Sequence, residues 1–161
     1  MKYLIFCILG MLISCNKEKS QNEVIDTSID IFVENSIGEN LLKMTTPNAI
    51  NPDSINLIYL VNGNMFTVYN AYMDCPRNIC YITDSGSERI RVFPNDVETV
   101  EYPVTYIGWG NGDIDTLKCH FIRKDNGSSS SIVCDKVWFN DLPMFPDSAI
   151  SGFGRAFKIV K

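Results

Sequence analysis

Ile55-Asn56-Leu57-Ile58-Tyr59-Leu60-Val61-Asn62-Gly63-Asn64-Met65-Phe66-Thr67-Val68-Tyr69 decides the fold class. Its first half alternates, and its second half is rich in residues that favour strands. Asn62-Gly63 between two such runs signals a hairpin, because a two-residue turn matching the strand twist needs residues that tolerate positive φ. The pattern continues outward in both directions. Ile29-Asp30-Ile31-Phe32-Val33 is a strand closed by the turn Asn35-Ser36-Ile37-Gly38. Tyr81-Ile82-Thr83 and Arg89-Ile90-Arg91-Val92-Phe93 flank Asp84-Ser85-Gly86-Ser87. Val100 to Trp109 is long and aromatic, and Pro103 within it cannot donate to a ladder, which predicts an edge strand or a bulge. Leu117 to Arg123 and Ile132 to Phe139 form a second strong hairpin, and Phe157 to Val160 a terminal strand. No segment keeps apolar residues at helical spacing over three turns, and Glu39 to Met44 holds one helical turn at most. Short strands with frequent turn signals predict an all-β chain, an antiparallel β-sandwich.

The N-terminus speaks to location. Lys2 precedes an apolar run from Tyr3 to Ile13, too short for a permanent span, which needs about 20 residues. It fits the apolar region of a secretory signal. Leu12-Ile13-Ser14-Cys15 resembles the lipobox of bacterial lipoproteins, and the resemblance implies cleavage before Cys15 and lipidation of that cysteine. The expected organisation is a signal peptide over 1–14, a polar lipidated tether over 15–24 and one domain over 25–161. Lys17-Glu18 resembles the short charged export signal of Bacteroidetes surface lipoproteins, although an ordinary solvated tether reads the same way. Removing 1–14 from the 161 residues leaves 147, enough for one domain with a sizeable core. The full chain carries 14 basic and 19 acidic residues, a net charge of −5, and the signal removes one further positive charge at Lys2. An acidic chain without a basic cluster argues against nucleic acid as a partner. Membrane attachment then falls to the lipid on Cys15, and stable anchoring takes at least two acyl chains. By resemblance, bacterial lipoproteins carry two or three. The expected location is the cell envelope, as an outer-membrane lipoprotein on its periplasmic or surface face.

Cys7 leaves with the signal and Cys15 is consumed by lipid. Cys75, Cys80, Cys119 and Cys134 remain, and four thiols outside the cytoplasm predict disulfides with three pairings open. Cys119 and Cys134 are symmetric about Asn126-Gly127, so a two-residue turn there sets them directly opposite on adjacent strands. Cys75 and Cys80 then pair across Pro76-Arg77-Asn78-Ile79. A four-thiolate zinc site needs two closely spaced pairs, and only one is present.

Candidate chemistry is sparse. His120 is the only histidine, and strand alternation turns it away from its neighbour Cys119, which works against a Cys–His pair. Asn111-Gly112-Asp113-Ile114-Asp115 begins as a calcium loop begins, making Asp113 and Asp115 the calcium candidates. The following Gly and distant bidentate Glu are missing, and Asn-Gly-Asp is also ordinary turn chemistry. Ser128 to Ser131 lacks a nucleophile elbow. Glu98 with Glu101, and Asp113 with Asp115, are the carboxylate pairs a glycosidase would require. No metal site and no cofactor are expected. Tyr102, Tyr106, Trp138, Phe139, Phe145 and Phe153 read mainly as core. Trp109, between Gly108 and Gly110, reads as an exposed ring, so Trp109, Asn111, Asp113 and Asp115 form the expected binding surface.

Three stretches carry a wider resemblance: Ile31 to Leu42, Asp113 to Cys119, and Val133 to Asn140. With the lipobox they resemble small Bacteroidetes lipoproteins of unknown function with an immunoglobulin-like or transthyretin-like domain. The resemblance implies an immunoglobulin-like sandwich in the envelope and no particular activity. The expected function is a non-catalytic, lipid-anchored binding or accessory module that presents loops and one face to a glycan or envelope protein. The alternatives are a small hydrolase of envelope polymers, which needs converging carboxylates of shifted pKa, and a strand-exchanging structural subunit, which needs an open sheet edge.

Overall fold

The computed structural model describes residues 22–84 and 87–161; the expected signal and Cys15 lie outside them. The strands are β1 (Asn22–Asp26), β2 (Ile29–Glu34), β3 (Asn56–Val61), β4 (Asn64–Thr67), β5 (Ile79–Asp84) and β6 (Ser87–Val92), followed by β7 (Val104–Gly108), β8 (Ile114–Asp125), β9 (Ser129–Phe139), β10 (Leu142–Phe145) and β11 (Ala156–Val160). One sheet runs β1-β9-β8-β7-β3-β4, with β10 also on β9; the other runs β11-β2-β6-β5. The two pack as a sandwich, as the alternation predicts. Ile29, Ile31, Val33, Ile90, Val92 and Phe157 from the smaller sheet meet Leu57, Ile107, Leu117, Val137 and Phe139 from the larger. Burying each such side chain contributes about 1.5–3 kcal/mol.

The sheets are mixed. β1 lies parallel to β9, and β11 parallel to β2, while the other pairs are antiparallel. Thr27 and Ser28 carry the chain from β1 in one sheet to β2 in the other, so a crossing rather than a hairpin sets the direction of β1. The expected tether over 15–24 also ends early, because 22–24 already belong to β1.

The β3–β4 hairpin is as predicted: Val61 pairs Asn64 around Asn62 and Gly63, at φ 49° and 76°. Pro103 sits one residue before β7 rather than inside it, so β7 is an interior strand between β3 and β8. The β8–β9 hairpin departs from its predicted register. Asp125 pairs Ser130 across a four-residue loop, which Asn126 stabilises by accepting from the Ser128 and Ser129 main-chain N–H groups. That loop shifts the pairing by two residues, and a bulge at Asp135 shifts it once more. Cys119 therefore faces Val137, and Cys134 faces Phe121. Both cysteines are buried free thiols, not the expected disulfide. Cys75 and Cys80 are bonded as predicted, at a Cα separation of 5.3 Å.

On the outer side of the smaller sheet, Asp30 is buried beneath two arginines, accepting from Arg89 Nε at 2.8 Å and Arg91 Nε at 2.7 Å. Phe153 covers Phe32 edge-on at 5.2 Å. Paired charges and an edge-on ring thus cover part of a face that alternation alone would leave wet.

Candidate functional site

The expected surface around Trp109 is not a surface. Trp109 is 2% exposed, and its indole N–H donates to Asp115 Oδ2 at 2.7 Å. Asp115 also accepts from Asn140 Nδ2 at 2.7 Å and from the Lys161 ammonium, which lies 4.7 Å from the centre of the Trp109 ring. Burial alone would raise the Asp115 carboxyl, but the hydrogen bonds from Asn140, Lys161 and Trp109 outweigh it and hold the group below its ordinary value. Asp113 accepts from the same ammonium at 2.6 Å, and Asn111 accepts from the Asp113 main chain at 3.0 Å. The oxygens proposed for calcium thus receive donors from the protein itself. The glycines make room for the chain rather than for a ligand: a Cβ at Gly110 would stand 2.4 Å from the Ser54 side chain. These residues form a latch that ties Lys161 to the end of the sandwich.

Aromatic rings converge elsewhere, on the solvent side of the larger sheet. In β8, Leu117, Cys119 and Phe121 turn inward, so Lys118 and His120 turn outward. In β9, Val137 and Phe139 fill the core and Trp138, opposite Lys118, takes the outer face. Tyr102, just ahead of β7, stands edge-on to Trp138 at 5.4 Å and tilted to His120 at 5.8 Å. The bulge brings Asp135 to His120 Nδ1, 2.5 Å from its Oδ1. Lys118 is ion-paired with Asp141 beyond the end of β9. Tyr102, Lys118, Trp138 and Asp141 line a shallow depression of about 270 Å³. The Glu101 carboxylate, hydrogen-bonded to the Tyr102 hydroxyl, pushes that phenol upward.

This face offers two ring surfaces flanked by an ammonium–carboxylate pair and an imidazole–carboxylate pair. It can stack against a flat apolar surface while exchanging hydrogen bonds at its rim. Cys119, although adjacent to His120 in sequence, lies in the core with its thiol pushed up by burial and by contact with Cys134. Tyr102 and Trp138, expected in the core, stand on the outer face instead. The signal for Trp138 was the alternation of Lys136 and Trp138 with Val137 and Phe139, obscured because three consecutive residues are apolar. No protein-family model, curated protein or solved structure matches the chain.

Proposed function

We propose that the protein is a lipid-anchored binding module of the bacterial cell envelope, and that the Tyr102–Trp138 face receives a glycan. One observation carries the reading: two large aromatic rings, Tyr102 43% exposed and Trp138 half-buried, meet on the outer face of the sheet beside a paired lysine and aspartate. Sugar rings present C–H faces that stack on aromatic surfaces, and their hydroxyls suit the Lys118, Asp141 and Asp135 rim. The resemblance of Leu12-Ile13-Ser14-Cys15 to a lipobox supports the envelope location, and Cys15→Ser should abolish lipid labelling.

The chain has two tryptophans, and Trp109 is sealed from solvent. Screening the full chain on a glycan array, then titrating each hit by tryptophan emission, therefore reads Trp138. Tyr102→Ala should weaken binding at least tenfold, about 1.4 kcal/mol, and Trp138→Ala, which loses the emitting ring and is titrated by calorimetry beside the native chain, similarly. Absence of any glycan ligand, or binding indifferent to both substitutions, would reject the reading. Turnover of a bound glycan would move the protein to the hydrolase alternative.

A second reading has its own observation. β4 is an edge strand of the larger sheet, all of its residues are exposed, and Met65 and Phe66 are among its four. An open edge carrying large apolar side chains suits strand addition by a partner protein.

A further inference from the structure

Away from the aromatic face, the two sheets part beside the Cys75–Cys80 loop. Thr27, Tyr59 of β3, the disulfide loop and the segment after β6 enclose a cleft of about 380 Å³ there. That volume suits a small molecule. Tyr59, Met73, Phe93 and Pro94 supply apolar walls. Among the described residues, the charged groups of its lining are two carboxylates, Asp74 and Asp96, with no lysine, arginine or histidine.

The polar atoms differ in what they have left to offer. Tyr59 Oη donates to the Phe93 carbonyl at 2.6 Å and accepts from Asn78 Nδ2 at 2.8 Å. Burial pushes its phenol up to about 12, so the hydroxyl stays neutral and engaged. The Asp96 carboxylate has less. Besides its own main chain, its partner among the described residues is the Thr27 hydroxyl, at a long 3.4 Å. Arg123 lies nearby, but its guanidinium donates to the main-chain carbonyls of Asp96 and Glu98, at 2.6 and 3.1 Å. A half-buried carboxylate at an aromatic wall, with no direct cation on it among the described residues, is a site with one unmet demand.

We propose that this cleft binds a small organic cation with an apolar body, its ammonium on Asp96 and its body against Tyr59, Phe93 and Met73. Ion pairing and the attraction of a cation to aromatic faces act together in such a site. Burial raises the Asp96 carboxyl against the opposing influences of its main chain, Arg123 and Thr27, and Glu23 adds to the rise. A bound cation would offset that desolvation.

The probes are phenethylammonium, neutral 2-phenylethanol and anionic phenylacetate, titrated into the full chain at pH 7.5 by calorimetry and by NMR. Phenethylammonium should bind at least tenfold tighter than the alcohol, phenylacetate should bind weakest, and shifts should centre on Tyr59, Phe93 and Met73. Asp96→Asn should erase the preference for the cation. Met73→Arg, at a side chain 54% exposed at the mouth, should lower cation affinity at least tenfold and guards against an Asp96 variant that folds poorly. Equal binding of cation and alcohol, tighter binding of the anion, no binding of the cation, or shifts mapping outside the cleft would each overturn the proposal.

Discussion

Trp109 illustrates how little a residue's neighbours in sequence reveal about its burial. Flanked by Gly108 and Gly110 and followed by a polar loop, it has the setting of an exposed ring, yet Ser54, Asp115, Asn140 and Lys161 close around it. Trp109→Ala should therefore cost about 3–5 kcal/mol in denaturant unfolding, while Trp138→Ala on the outer face should stay within about 1 kcal/mol. Asp115 sets a pH dependence. Its folded pKa lies below the ordinary 3.8, so the unfolded chain takes up its proton first as pH falls. The stability Asp115 contributes is present above about pH 4 and is lost as pH drops through the window below. Asp115→Asn should flatten that acid limb in melts taken from pH 6 downward. An unchanged slope would exclude Asp115 as its source.

At the level of elements, the β8–β9 hairpin shows how register depends on one loop and one bulge. Pairing symmetric about Asn126-Gly127 would have set two cysteines face to face. The Asn126-capped loop and the extra residue at Asp135 set each opposite an apolar partner instead. The same bulge delivers Asp135 to His120 on the outer face, so the irregularity that finishes the register shift also completes the rim of the candidate site. Burial and contact with Cys134 keep the Cys119 thiol protonated, and both thiols are sealed in the core. Iodoacetamide should leave Cys119 and Cys134 unmodified in native protein and alkylate both after unfolding without reductant, with Cys75 and Cys80 recovered as a linked pair. A peptide linking Cys119 to Cys134 in that map would contradict their state as free thiols.

For the molecule as a whole, the exposed edges matter most. β1 buries neither Val24 nor Ile25, and it is held to β9 by ladder hydrogen bonds and to β11's lead-in by Asp26 and Arg155. A domain cut at residue 25 would retain only the end of this strand. Removing everything before Thr27 should lower the melting temperature only modestly, because little apolar surface is lost. It should also open the outer edge of β9 from Ser129 to Val133, whose other edge stays paired with β8, so the truncated chain should self-associate with rising concentration in size-exclusion chromatography. Unaltered elution at all concentrations would argue that β1 does not protect that edge.

The sequence alone determined the class and the local pairings. Period-two alternation from Ile55 to Val61, Asn62-Gly63 at the turn and the lack of helical spacing leave a sandwich as the way to bury these strands. A five-residue separation likewise brings Cys75 and Cys80 together regardless of the rest of the fold. Tertiary structure decided which faces are covered. In Val137-Trp138-Phe139 both faces are apolar, so alternation shows that Trp138 opposes its neighbours but not which side meets the other sheet. The β8–β9 register rested on a loop length that the Asn126 side chain sets, and the burial of Trp109 on a lysine 52 positions further along the chain. Contacts of that kind arise only when distant segments meet, and no local pattern encodes them.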